Sequence, residues 1–453
     1  MRCTGLLVPV PVRVSVVYGL CALVVGWFAV TATTLSHVDT SYRVRVRVDS
    51  AEQPRFMHLI LSAPDTMKAV WYEEASTGNL SSSAHCVYRS TAPATSPPAY
   101  ATGDSYTYSA GGFLGSLHEV NMTGLSPGST YQYSCATGNT STSDLQSFTL
   151  QAPSVGPLLI GFIADMGIDN SAATIASLRN ATDMGMQLVI HAGDISYADS
   201  HDPKANNSHV WMQYMASMES ITSRVPYMTC PGNHEAEYDF AAYLNWLPMP
   251  QAAKVSPTVF WHSFDYGGVH FSMFSTEHDF SNASAQYEWL AGDLKRADAN
   301  RASVPWLIVV GHRPLYCSSL AEISRCDQEA PQYRSYLEEL LNEHRVDVYV
   351  NGHNHQYERS YPTYRGQPTQ KNFSRPSAPV YIVNGAAGNI HPNDPTYLPQ
   401  ALVPWRASHG HGFDTSWLRM TVMDAGVLKI ESVLSSSGEV EDAITIQKGP
   451  SAG

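Results

Sequence analysis

The chain has 453 residues, with 27 basic and 40 acidic side chains giving a net charge of −13. That length exceeds one ordinary domain, and 43% apolar with 10% aromatic residues excludes wholesale disorder. An acidic balance with no basic stripe excludes a general nucleic-acid binder.

The first segment with a readable pattern runs from Val14 to Ala32, uncharged, mostly apolar and preceded by Arg2 and Arg13. Residues 1–32 read as a secretory signal peptide with a cleavage point after Ala32, or as an uncleaved signal anchor. Either places the remainder on the lumenal or extracellular side, so the protein is secreted, or held at a membrane only where this leader is retained. Seven Asn-x-Ser/Thr sequons, at Asn79, Asn121, Asn139, Asn180, Asn206, Asn282 and Asn372, agree with an exported glycoprotein. So do the cysteines beyond the leader. Cys317 and Cys326 are close enough for a loop staple, Cys86 with Cys135 could pin two strands, and Cys230 is left as a buried strand residue. No CxxC pair is present, which argues against a zinc ribbon or a redox dithiol.

Residues 33–150 read as all-β. Tyr42 to Val48 alternates Arg and Val; Met57 to Leu61, Ala69 to Tyr72 and Tyr131 to Cys135 are short β-prone runs between turn-rich segments. A β-sandwich with Trp71 in its core is the natural reading. After a short linker, Gln151 to Gly156, the pattern changes. Apolar runs at Leu158–Ala164, Gln187–His191, Val225–Cys230, Trp306–Val310 and Val346–Val350 alternate with helical spacing at Asn170–Asn180, Gln286–Arg296 and Gln332–His344. That alternation predicts an α/β domain over residues 151–400, completed by a C-terminal segment, 401–453.

Each of these strands runs out into a metal-ligand residue type. The loops offer Asp165, then Asp194 with Tyr197, Asn233 with His234, His312, and His353 with His355. Sites in open α/β sheets form at the carboxyl ends of strands, so these side chains can converge. Two carboxylates, a phenol, an amide and three or four imidazoles exceed the needs of one zinc and suit two ions sharing a carboxylate. Taken singly, each has a plainer reading. Asp165 and Asp194 would cap turns, Asn233 would sit in one, Tyr197 would be core and the histidines structural.

In this order the blocks Asp165-Met166-Gly167, Gly193-Asp194-Ile195-Ser196-Tyr197, Gly232-Asn233-His234-Glu235, Val309-Val310-Gly311-His312 and Gly352-His353-Asn354-His355 resemble those of the purple acid phosphatases. The last continues as Gln356-Tyr357-Glu358-Arg359, and the likeness extends through Trp261–Tyr266, Ser275–Asp279, Val380–Gly388 and Arg419–Val422. The resemblance implies a fibronectin-III-like sandwich followed by a four-layer α/β/β/α metallophosphoesterase domain. It implies Fe(III) on Asp165, Tyr197 and His355, a divalent ion (Zn, Fe or Mn) on Asn233, His312 and His353, and Asp194 bridging. The reaction implied is hydrolysis of small phosphate monoesters by a metal-bound hydroxide, with His234 binding phosphate or protonating the leaving alcohol.

Two departures stand out. Ala164 occupies a place usually held by Gly, and Arg313 to Arg325 lacks the extra substrate-facing histidines of some members. Phosphodiester or nucleotide pyrophosphate cleavage on the same centre, or a non-catalytic adhesion or receptor role for the sandwich, are the alternatives. His191 reads as a second-layer partner, Glu358-Arg359 as a salt-linked brace, and His278-Asp279 as either cleft lining or a loop cap. His201, His209, His409 and His411 read as surface or loop residues.

Overall fold

The computed structural model describes residues 53–449, except 75–82, 94, 139–140, 153–155, 202–206, 251–259 and 322–325. The leader, the Tyr42–Val48 run and the sequons at Asn79, Asn139 and Asn206 lie outside the described residues. Among the described residues no helix is long and apolar enough to cross a membrane.

The N-terminal part is all β. Arg55–Ala63, Thr66–Glu73 and Ser116–Met122 pair in succession on one side, and Ala84–Ser90, Thr130–Thr137 and Gln146–Thr149 on the other. Ala99–Tyr106 joins them, pairing Gly103 with Ala84 and, one residue on, Asp104 with Glu119. The corner needs Gly103, because a Cβ there would lie 1.9 Å from the Glu119 carbonyl oxygen. Trp71 is fully buried, and Cys86 is bonded to Cys135, its direct partner across neighbouring strands. The sequence pattern missed several of these strands, since Ala99–Tyr106 is half exposed and has no apolar alternation to show.

This β domain is fused to the next through shared core. Helix Ser208–Thr222, not foreseen from the sequence, lies against Arg55–Ala63. Met57 N donates to Glu219 (2.9 Å), Tyr133 Oη to Ser223 O (2.8 Å) and Lys68 Nζ to Pro248 O (3.2 Å).

Two sheets build the second domain. The first runs Tyr227–Cys230, Leu188–Ala192, Leu158–Ile163, Ser416–Val422, Val427–Leu434, Val440–Gln447; its opening three strands are parallel. The second has a parallel centre of Val269–Met273, Trp306–Val310, Val348–Asn351 and Val380–Asn384, with antiparallel strands at both edges. Strands such as Trp306–Val310 are apolar throughout because they are buried on both faces. Phe162 and Phe271 meet between the sheets, and helices Ala172–Asp183, Ala285–Ala299 and Cys326–Glu343 complete the α/β domain. The last begins six residues before the expected Gln332, at Cys326, which is disulfide-bonded to Cys317. Cys230 is buried and free.

Candidate metal centre

Every candidate ligand sits in a loop leaving the carboxyl end of a parallel strand. Asp165 follows Leu158–Ile163, Asp194 and Tyr197 follow Leu188–Ala192, and Asn233 follows Tyr227–Cys230. From the second sheet, His312 follows Trp306–Val310 and His353 and His355 follow Val348–Asn351. Asp165, Asp194, Tyr197 and His353 adopt left-handed backbone conformations, with φ of 56°, 54°, 56° and 68°. Non-glycine residues held there cost on the order of 1–3 kcal/mol each, and such strain gathers at functional sites. The first two loops are laced together by Met166 N to Asp194 O (3.1 Å) and Gly167 N to Ile195 O (2.9 Å).

The donor atoms form two groups that meet at one oxygen. Tyr197 Oη lies 3.1 Å from Asp165 Oδ1, 3.0 Å from His355 Nε2 and 3.3 Å from Asp194 Oδ2. His312 Nε2 lies 3.2 Å from both Asn233 Oδ1 and Asp194 Oδ2, and His353 Nδ1 lies 3.0 Å from Asn233 Oδ1. Asp194 Oδ2 therefore touches both sets, while its Oδ1 accepts the backbone N–H of His234 at 3.0 Å. The ligand atoms of Asp194, His312 and His353 lie within 4.8 Å of one another.

The chemistry of this donor set fits cations. Asp165, Asp194, Tyr197 and His312 are all but fully buried, and buried carboxylates need a compensating charge. Burial first, then the charges of Asp165 and Asp194, push the Tyr197 phenol well above its ordinary pKa. Only a nearby cation would favour its phenolate. His312 Nδ1 donates to Ala192 O (2.8 Å), which turns the Nε2 lone pair toward Asp194 and Asn233. Asn233 and His353 are half-buried, so the second group faces solvent more than the first.

The glycines before these residues have steric work. A Cβ on Gly352 would lie 2.2 Å from Asp165 Oδ2 and 2.4 Å from the Ala164 methyl. Ala164 is thus tolerated because it faces a residue with no side chain.

His234 is half-buried at the rim. Its Nδ1 lies 2.8 Å from both Asp199 oxygens, and its Nε2 lies 3.8 Å from Asp194 Oδ2. Burial alone would lower its pKa; Asp194 and Asp199 outweigh that and hold it up to about 9.

Sequence reasoning missed Asp199, Glu235, Arg313 with its partners, and His391. Asp199 lies two residues past Tyr197, and its only signal was that neighbourhood. Arg313, next to His312, pairs with Glu277 and Glu329, and both Glu329 Oε2 and Arg313 Nη1 lie 3.3 Å from His353 Nε2. His391 stacks on His355 with ring centres 5.8 Å apart and planes 11° from parallel. Its loop is tied in by Asn389, which accepts from His391 N (2.7 Å) and donates to Asp165 O (3.2 Å).

His191 Nδ1 meets Tyr227 Oη (2.6 Å) and Tyr214 Oη (3.1 Å) in the core, and the ring also bonds the backbone of Asp194 and feels its charge, so it lies behind the candidate ligands as a supporting residue. Glu358 and Arg359 are both salt-linked, each to a partner of its own. Glu358 accepts from Ser318 N (2.7 Å) and lies 3.8 Å from Arg406, whereas Arg359 forks onto Asp442. His278 bonds Ser275 and stacks on Phe260, while Asp279 caps Ser281 N. Of the surface histidines, His201 pairs with Asp169 (3.0 Å), His209 lies on a helix, and His409 lies on a strand against Tyr397.

The fold is that of a calcineurin-like metallophosphoesterase with an all-β domain before it. Family models match in that order: purple acid phosphatase N-terminal domain at residues 54–150, calcineurin-like phosphoesterase at 158–357, and iron/zinc purple acid phosphatase-like protein C at 378–443. Acid phosphatase type 7 of Homo sapiens is 32% identical over 349 residues, 73% of this chain and 76% of that protein. The Mus musculus counterpart is 33% identical over 60% of this chain and 64% of its own length. Purple acid phosphatase 15 of Arabidopsis thaliana is 30% identical over 74% of this chain and 71% of its own. A solved purple acid phosphatase from yellow lupin seeds superposes with a TM-score of 0.76 at 22% identity, covering 88% of this chain and 75% of that one. The chain belongs to the purple acid phosphatase family.

Proposed function

We propose that this protein is an exported acid phosphatase acting on phosphate monoesters at a two-ion centre. The observation that carries the reading is the position of Asp194 Oδ2, 3.3 Å from Tyr197 Oη in one donor group and 3.2 Å from His312 Nε2 in the other. Asp165, Tyr197 and His355, with two anionic-oxygen donors, suit hard Fe(III). Asn233, His312 and His353 are neutral and suit Zn, Fe(II) or Mn. When bound, such a pair supplies Lewis acidity toward phosphate oxygens and acidifies water.

The chain's own residues orient the ester and manage its leaving proton. His234, with Nδ1 fixed by Asp199, turns Nε2 toward the centre. As the P–O bond of the ester breaks, a proton passes from Nε2 to the departing alkoxide, leaving a neutral imidazole to be reprotonated from solvent. His391 offers a further imidazole at the rim beside His355, in a chain whose Arg313 to Arg325 segment carries no histidine. Export is supported by the leader pattern, by two disulfides among the described residues, and by exposure of the four described sequons, Asn121, Asn180, Asn282 and Asn372.

Rates on p-nitrophenyl phosphate and bis(p-nitrophenyl) phosphate at acidic pH test the reading. The monoester should be the faster substrate; faster diester cleavage would replace the monoesterase with a diesterase, and no turnover of either would remove the enzyme.

A further inference from the structure

We propose that a cavity at the opposite ends of two of the strands that carry the metal loops binds an organic anion: a largely apolar body bearing one phosphate or sulfonate head. It holds about 690 Å³, within the range of about 300–1,000 Å³ typical of small-molecule sites. Pro305, Asp347 and Ala378, which line it, lead into Trp306–Val310, Val348–Asn351 and Val380–Asn384. The first two strands emerge at His312 and His353, so a strand's length, roughly 13–16 Å at about 3.3 Å per residue, separates this cavity from the candidate metal centre.

Charge selects an anion. In a chain with 27 basic and 40 acidic side chains, Arg301, Arg345, Arg375 and Lys448 converge on this one cavity. Among the described residues two carboxylates oppose them. Asp347 takes Arg301 (2.5 Å) and Lys448 (2.8 Å), and Asp298 takes Arg301 (3.4 Å) and Arg345 (2.8 Å). The group is left with an excess of cations.

Arg375 has no carboxylate partner among the described residues, and its guanidinium lies against the backbone of Gly449, whose added Cβ would come within 2.7 Å of Nε. Its backbone is left-handed, at φ 50°, and its N–H is held by Gln447 O at 2.6 Å. Lys448 is seated 4.2 Å over the Trp306 ring. Burial first, and then Arg301 and Arg345 against the pull of Asp347, keep its ammonium below the usual lysine pKa. Proline, alanine and valine side chains make up much of the remaining wall. Apolar walls with a few convergent polar groups describe a small-molecule site.

The probe is 8-anilinonaphthalene-1-sulfonate, an aromatic sulfonate that a phosphatase centre does not hydrolyse, titrated by fluorescence into the full chain at low salt. One saturable site per chain is expected, at least tenfold weaker in Arg375→Ala and weaker again in Arg345→Ala/Arg375→Ala, with p-nitrophenyl phosphate turnover unchanged. Both side chains are exposed, Arg345 to 72%, so the variants should unfold at the parent's temperature. Absence of saturable binding, or equal affinity in all three proteins, overturns the proposal. So does a chain ending at Gly449 that binds the probe tenfold more tightly, since the cavity would then be filled by residues 450–453; unchanged affinity in that chain supports it.

Discussion

Glu235 holds Asp194 by its backbone. One carboxylate oxygen accepts the N–H groups of Asp194 and Gly232, both at 2.8 Å, and the other accepts that of Ile195 at 2.8 Å. The residue that touches both donor groups is thereby fixed to the loop that carries Asn233. Removing this carboxylate orphans three buried donors at a net cost of about 1 kcal/mol each. Glu235→Ala should lose about 3 kcal/mol in urea unfolding and bind metal more weakly, whereas an unchanged midpoint would deny Glu235 that bracing role.

His234 depends on Asp199 for its orientation. Asp199→Asn should lower kcat by about 10–100-fold on an alkyl phosphate. The loss should be smaller on p-nitrophenyl phosphate, whose leaving group needs no proton. Equal losses on both substrates would show that Asp199 supports the fold and not proton delivery.

His391 reaches the rim beside His355 without belonging to either donor group. His391→Ala should raise KM for a phosphate monoester several-fold with kcat little altered and metal content intact. A fall in kcat alone, or loss of metal, would contradict a positioning role.

A pH effect on stability follows from a cluster away from the metal centre. His270 Nδ1 lies 2.6 Å from Asp265 and Nε2 lies 3.0 Å from Asp293. Burial opposes its charge, but the hydrogen bonds and charges of Asp265 and Asp293 prevail and hold it up to about 9. A raised histidine stabilises most below the unfolded value near 6.5 and loses that contribution as pH rises through 9. His270→Gln should cost about 2–3 kcal/mol at pH 6, progressively less between about pH 6.5 and 9, and little above pH 9. A cost independent of pH would contradict the charged triad.

Gly352 is set by contact rather than by its backbone angle. Gly352→Ala drives a methyl into Asp165 Oδ2 and Ala164, and metal affinity should fall at least about tenfold. Retained affinity would show that the loop can move aside.

The apolar strands of the α/β domain were legible because they are buried on both faces, and their ends carried the chemistry. The all-β domain was less so. Ala99–Tyr106 is half exposed and changes sheets at Gly103, which leaves no period-two pattern. Helix Ser208–Thr222 escaped notice because it is buried on several sides, against the β domain and against Ala172–Asp183. At the site, the candidate ligands declared themselves by residue type and order. Glu235, Asp199 and Glu329 did not, since a supporting carboxylate is recognisable only by the atom it faces.

The central claim is that Asp194 serves two ions at once. Elemental analysis of the purified protein and of Asp194→Ala, alongside circular dichroism to establish folding, tests it most directly. The account predicts two metal ions per parent chain, one of them iron, and loss of both from a folded variant. A folded Asp194→Ala protein that keeps two ions, or a parent chain that never holds more than one, would contradict it.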